Sequence, residues 1–230
     1  MPLLTLRNVT KSYKAPDGSR LTVLDIPSFD LETEAQVALR GASGSGKTSL
    51  LHAIAGIIPV DAGEIVIDET SLHSLSESER DRLRAEKLGF VFQTFNLLPG
   101  FTAKENVELG MLFGKGVDPD WAEHLLSRVG LADRMGYRPS QLSIGQQQRI
   151  AVARALANRP KLVLADEPTG NLDHRRAHEA LSLMREICTE ANAALLLVSH
   201  DRSILSEFEV GHDLADLNRA LKDDENGGER

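Results

Sequence analysis

GASGSGKT, Gly41 to Thr48, is the stretch that decides how this 230-residue chain folds. It satisfies G-x-x-x-x-G-K-[ST], a pattern whose glycines let the backbone curl until its N–H groups face inward on an anion. Before it, QVALR (Gln36 to Arg40) reads as a short buried strand, and after it TSLLHAIAG reads as a helix stopping at Gly56. The four fixed positions alone arise by chance in about one chain in a hundred, and the strand, loop, helix context lowers that further. Gly41, Ala42, Ser43, Gly44, Ser45 and Gly46 are therefore expected to cradle phosphates, with Ser49 completing the set. Lys47 is expected to reach the β and γ oxygens, and Thr48 to offer its hydroxyl to Mg²⁺.

On the N-terminal side, LLTLRNV (Leu3 to Val9) alternates like a strand, and the turn around Pro16 to Gly18 leads to a second strand near Leu21 to Leu24. This predicts an antiparallel start. On the C-terminal side, VAL, LVLA and ALLLV are near-continuous apolar runs, as a parallel sheet covered on both faces requires. Between them, roughly Phe95 to Asn158, helical patterns dominate: DPDWAEHLLSRVG places Trp121, Leu125, Leu126 and Val129 on one face, with Gly130 as the stop. Ser76 with Glu79, Thr102 with Glu105 and Ser143 with Gln146 have capping-box spacing. The expectation is an α/β chain with a mainly parallel sheet, an N-terminal antiparallel β subdomain and an inserted helical subdomain. As a single domain over 1–220 it divides into a core of 1–94 and 159–220 and a helical part of about 95–158, followed by a disordered tail at 221–230.

Chemistry gathers at strand ends. Asp166 and Glu167 close KLVLADEP, which aims them at the carboxyl edge where ligands of such sheets bind. Adjacent acids after a strand are usually a solvated turn; the phosphate loop upstream reverses that preference. Asp166 suits holding Mg²⁺, and Glu167 suits orienting or deprotonating an attacking water. Gln93 ends LGFVFQ and His200 ends ALLLVSH, although neither means much alone. LSIGQQQR, Leu142 to Arg149, predicts a capped helix over Gln146 to Ala157 whose N-terminal dipole is a ready anion site. A cap, however, needs one glutamine, and three are present.

Composition sets limits. A net charge of −8 argues against a general nucleic-acid surface, which depends on many phosphate-neutralising cations. The single cysteine, Cys188, excludes an intrachain disulfide and a cysteine-based metal site, and reads as a buried apolar side chain. Crossing a bilayer takes about 20 mostly apolar residues, whereas the longest apolar run, Ala193 to Val198, is strand-sized. Nothing N-terminal resembles a signal peptide, so a membrane role is expected to come through a partner.

Taken together, GASGSGKT, Gln93, LSIGQ, the Asp166–Glu167 pair, NLD and His200 stand in the order of an ATP-binding cassette ATPase, which the chain resembles over nearly its whole length. The resemblance implies a P-loop NTPase (RecA-like) core and a head-to-tail, ATP-dependent homodimer. Each signature, with Ser143 and Gly145 on the γ-phosphate and Gln146 nearby, faces the nucleotide on the second copy's phosphate loop. It further implies that Tyr13 stacks on adenine, Gln93 reaches Mg²⁺ and the coupling interface, Asp173 crosses the dimer interface, and His200 touches the γ-phosphate. Catalysis would rest on Glu167, His200 and Lys47, and the Mg²⁺ ligands would be Thr48, Gln93 and Asp166. At an effective dielectric of about 20 each close unit-charge pair is worth about 4 kcal/mol before desolvation, so ATP can hold together surfaces that separate after hydrolysis. One departure is Ile144-Gly145 in place of Gly-Gly, with closure expected to survive.

LGFVFQTFNLLPGFTAKENVELG and LADEPTGNLDHRRA are similar to the branch that includes lipoprotein-release, macrolide-export and cell-division cassettes. That resemblance implies an integral membrane permease as partner, no nucleic acid, and a peripheral place on the cytoplasmic face of the inner membrane. The favoured function is powering export or extraction; the alternative is a regulatory cell-division type without transport. Near the C-terminus, FEVGHDLADLN departs from the branch's usual strand pair.

Overall fold

The computed structural model describes residues 1–170 and 172–221. In chain order the elements are β1 (Leu4–Lys14), β2 (Arg20–Leu31), β3 (Gln36–Arg40), α1 (Lys47–Ile54), β4 (Ala62–Ile67), β5 (Thr70–Ser71), α2 (Glu77–Lys87) and β6 (Leu88–Val91). There follow α3 (Ala103–Leu109), α4 (Pro119–Arg128), α5 (Ile144–Ala155), β7 (Leu162–Asp166), α6 (His174–Glu190), β8 (Ala194–Ser199), α7 (Arg202–Leu205), β9 (Val210–Asp213) and α8 (Leu214–Leu217). The chain is α/β, with an antiparallel N-terminal sheet, parallel strand pairs and a run of helices between β6 and β7. It divides into two compact units, residues 1–33, 37–80 and 198–230, and residues 34–36 and 81–197.

In the first unit β1 lies between β2 and β4, antiparallel to both, with Leu4 opposite Leu31 on one side and Ile67 on the other. Alternation sends Leu4, Leu6, Leu24, Ile26, Ile65 and Ile67 into the core. The hairpin turn is fixed locally: Asp17 Oδ1 accepts from Ser19 N at 2.9 Å, and Gly18 takes φ +87°. The atypical C-terminus supplies a strand after all, since β9 pairs in parallel with β3 from Val37–Val210 to Arg40–Asp213. Its Asn218, fully buried, then covers the free edge of β2, accepting from Asp25 N and donating to Val23 O, each at 2.8 Å.

In the second unit β6 and β7 run parallel, Leu88 opposite Leu162, and the strand order is β6-β7-β8. The apolar run of β7 is buried along its whole length, as the sequence pattern requires. The second and third capping boxes form with both reciprocal bonds, at Thr102–Glu105 and Ser143–Gln146; at the first, Ser76 N and Oγ donate to Glu79 Oε2 at 2.8 and 2.6 Å. Two boundaries differ from expectation. The strand LGFVFQ stops at Val91, because a turn starts at Phe92: its carbonyl accepts from Phe95 N at 3.1 Å, and Phe95 and Asn96 then take the left-handed region. The helix expected over 146–157 runs over 144–155: Ser143 caps it from outside, and Arg159, left-handed before Pro160, draws the chain away at the other end. Of the expected tail, residues 222–230 lie outside the described residues.

Candidate functional site

In the first unit, Gly46 is the N-cap of α1 at φ +89°, where an added Cβ would lie 2.9 Å from Val23 O, so both backbone and space require glycine. A Cβ on Gly41 would overlap Ser45 Oγ. Ala42, Ser43, Gly44 and Thr48 are exposed, Gly46 and Ser49 half-buried, and Gly41, Ser45 and Lys47 buried. Lys47, only 8% exposed, donates from Nζ to Gly41 O at 2.7 Å and Ala42 O at 2.8 Å, which curls its ammonium back over the loop. Ser45 Oγ is buried with no hydrogen-bond partner among the described residues, and the first turn of α1 contains no acidic residue. A loop with left-handed glycines leading into a helix dipole with no carboxylate in its first turn, under a bent lysine, has the chemistry to receive phosphate oxygens.

The neighbours of the loop follow from the sheet. Tyr13 on β1 pairs with Leu21 on β2, two residues from the Val23 that Gly46 touches. Its ring is 42% exposed, beside a depression of about 380 Å³ lined also by Ser12, Lys14 and Arg20, with Lys11 Nζ 5.4 Å from the ring centre. Gly41 N donates to Ser199 O at 3.2 Å, which ties the start of the loop to the residue before His200. Asp201 N donates in turn to Ser199 Oγ at 3.1 Å, fixing the bend on which His200 stands exposed.

In the second unit, Asp166 ends β7 and Glu167 follows, both buried with 7% exposure. Glu167 takes φ +45°, a left-handed conformation uncommon for a side chain of this kind and one that redirects the chain at the strand end. A Cβ placed on Gly170 would lie 3.5 Å from Glu167 O and 3.7 Å from Gln93 Nε2, so the ends of β6 and β7 meet around that glycine. Asp173, exposed, is the N-cap of α6, accepting from Arg176 N at 3.1 Å. Asn171 of NLD lies outside the described residues.

The three glutamines of LSIGQQQR have three different roles. Gln146 closes the capping box, its Oε1 accepting from Ser143 N at 2.9 Å while Gln146 N donates to Ser143 Oγ at 3.3 Å. Gln147 Nε2 donates to Pro139 O and Leu142 O, at 2.9 and 3.1 Å, and so holds the approach to the helix. Gln148, fully buried, donates from Nε2 to Pro168 O at 2.7 Å and anchors α5 to the residue after Glu167. Arg154, further along α5, donates to Phe95 O at 2.5 Å and Asn96 O at 2.7 Å, gripping the loop after Gln93; burial pushes its pKa down. Sequence reasoning missed Gln148 and Arg154 as positioning residues. The only signal was the surplus of glutamines, because a bond to a backbone carbonyl leaves no pattern in the partner's side chain.

The mouth of α5 faces outward. Ile144 is 52% exposed, a Cβ added to Gly145 would meet nothing within 4 Å, and the first turn carries no acidic residue. Ser143, Gly145 and Gln146 line a cavity of about 220 Å³ together with Leu172 and Arg176. This helix end thus has a dipole and a free approach, and the one carboxylate lining the cavity among the described residues, Glu179, is paired with Arg175.

The ABC transporter family profile matches residues 24–170. The chain is 42% identical over 210 residues to the lipoprotein-releasing system ATP-binding protein LolD of Pseudomonas syringae pv. tomato, covering 90% of this chain and 92% of that one. To the protein of the same name from Saccharophagus degradans it is 41% identical over 203 residues, covering 87% and 89%. Among solved structures it is similar to a dimeric ATP-binding cassette in a post-hydrolysis state bound to ADP and Pi, with a TM-score of 0.83, 34% identity and coverage of 94% and 95%. A dimeric bacterial ABC transporter cassette superposes with a TM-score of 0.82 at 35% identity, covering 91% and 94%.

Proposed function

Because the chain belongs to the ABC transporter family of ATP-binding cassettes, we propose that it works as a head-to-tail homodimer that closes on ATP and drives a membrane permease in lipoprotein release. It is an ATP-binding, ATP-hydrolysing subunit of an ABC transporter. The proposed assembly, cargo and residue roles go beyond that. No helix among the described residues is long and apolar enough to cross a membrane. The chain's place on the cytoplasmic face of the inner membrane is accordingly proposed to come through the permease.

One observation carries the dimer reading: Gly145 sits at the open mouth of α5, where its own chain leaves space for a side chain. Glycine there is explained by something approaching from outside. In the proposed pocket, that is the γ-phosphate held by the partner's phosphate loop, met by the Ser143 hydroxyl and the N-terminal N–H groups of α5. Lys47 exchanges its two carbonyl acceptors for β and γ oxygens, and Tyr13 offers an exposed face to adenine. Glu167 orients and deprotonates the attacking water, and His200 contacts the γ-phosphate. Asp173 lies at the dimer interface.

Mg²⁺ fits the donors proposed for it. Thr48, Gln93 and Asp166 are all oxygen ligands, the set a hard divalent cation prefers when substrate phosphates supply the rest. When bound, the ion neutralises charge on the phosphates. Leu98 and Phe101, after Gln93, and Leu112 and Phe113, after α3, are exposed apolar side chains of the second unit that suit a permease contact.

Sizing of Glu167→Gln protein tests the assembly: a dimer is expected with ATP and a monomer without it. Adding Gly145→Ala is expected to abolish the dimer while leaving ATP bound to the monomer. An ATP-bound Glu167→Gln protein that stays monomeric at every concentration would overturn the reading.

A further inference from the structure

The first turn of α6 carries a pair of histidines that nucleotide chemistry does not use. His174 and His178 stand one turn apart on the same helix face, with Nε2 of one 3.1 Å from Nε2 of the other. Their rings are tilted by 53° with centres 4.2 Å apart, so the nitrogens converge while the ring faces do not stack flat. Taking a zinc–imidazole bond of about 2.05 Å, a 3.1 Å separation subtends about 98° at a metal ion, between the octahedral and tetrahedral angles. The i, i+4 spacing on a regular helix is one that brings two imidazoles onto one ion.

The surrounding charge permits a cation. Arg175 and Arg176 lie between the histidines in sequence, but each is paired: Arg175 Nε with Glu179 Oε1 at 3.0 Å, and Arg176 Nε with Asp173 Oδ2 at 3.3 Å. Two positive and two negative side chains therefore cancel around two imidazoles. His174 is exposed and His178 half-buried, which leaves room for water to fill the remaining coordination positions.

We propose that His174 and His178 form a binding site for a first-row divalent transition metal ion, with Zn²⁺ as the reference ligand, on the solvent face of α6. Imidazole nitrogen suits zinc, nickel and copper and is a poor ligand for Mg²⁺, so this site is chemically separate from the nucleotide's ion. The bound ion bridges residues 174 and 178 and so staples the helical turn that Asp173 caps.

The experiment is calorimetric titration of the untagged full chain, free of nucleotide, with ZnCl₂, beside the His174→Ala, His178→Ala and doubly substituted proteins. One ion per chain is expected for the original protein. Each single variant is expected to bind roughly tenfold or more weakly, because the second ligand no longer acts intramolecularly, and the double variant is expected to lose that event. His174→Gln, which keeps a polar side chain at the helix start, should behave like His174→Ala; circular dichroism and ATP hydrolysis of all variants are expected to match the parent. An identical stoichiometry and affinity in the double variant overturns the proposal, as does the absence of any binding event in the parent.

Discussion

Gly145 and Gly46 are both glycines at helix starts, yet they answer to different constraints. Gly46 is fixed by its own chain, through φ +89° and the nearby Val23 carbonyl. Gly145 is not, and a methyl group there would enter open space. Gly145→Ala is therefore expected to leave stability unchanged or raise it by up to about 1 kcal/mol in urea unfolding, since alanine is the better helix former. ATP turnover is expected to fall by roughly a hundredfold, as for the loss of donors aimed at a reacting phosphate. The neighbouring Ile144 side chain already points into solvent, so the departure from Gly-Gly does not disturb the capping box. Ser143→Ala should show the opposite pattern on stability, losing about 1 kcal/mol of cap energy, measurable in the same assay. Replacing Glu167 by Gln is expected to lower phosphate release by about 10²- to 10⁴-fold while ATP still binds.

At the scale of elements, α5 organises the second unit. Its Gln148 holds the backbone after Glu167, its Arg154 holds the loop after Gln93, and its C-terminal turn approaches β6 so closely that a Cβ on Gly89 would overlap Ala155 O. Gly89→Ala is expected to destabilise the protein by about 1–3 kcal/mol, because strand and helix must move apart; a shifted urea midpoint would show it. In the first unit, Asp61 fastens the N-terminal sheet. It accepts from Arg20 at 2.7 Å and from Ser12 N at 2.8 Å, with Lys11 at 3.6 Å. The bond from Arg20, then the one from Ser12 N, holds its carboxyl below the ordinary aspartate range. A depressed carboxylate contributes stability that is present above the unfolded pKa and lost as pH falls through the folded one. Acid unfolding of Asp61→Asn should therefore show a flatter dependence on pH than the parent as pH falls below the ordinary aspartate range.

For the whole molecule, the proposed function requires surfaces that the isolated chain leaves open. Phe113 is 84% exposed and Leu112 52%, a pair of neighbouring apolar side chains that face solvent. Phe113→Asp is expected to leave thermal stability and basal ATP hydrolysis unchanged and to abolish co-purification with the permease; retained co-purification would remove this surface from the interface. Gln93, in the same unit, lies near Gly170, as does the Glu167 carbonyl, and Arg154 holds the loop that follows Gln93.

Local pattern alone determined much of this protein. The glycine loop, the capping boxes and the apolar runs of β3, β7 and β8 were legible because turn chemistry and periodicity act within a few residues. The places of Asp166, Glu167 and His200 at strand ends were legible for the same reason, since a run of buried apolar residues shows where a strand stops. Tertiary structure decided the rest. It ended β6 at Val91, two residues short of Gln93, gave the unusual C-terminus a strand beside β3 and an asparagine on the edge of β2, and assigned Gln148 to a distant carbonyl. Those contacts join side chains to backbone groups far away in sequence. Every residue carries the same carbonyl, so composition and spacing hold no trace of which one a side chain will find.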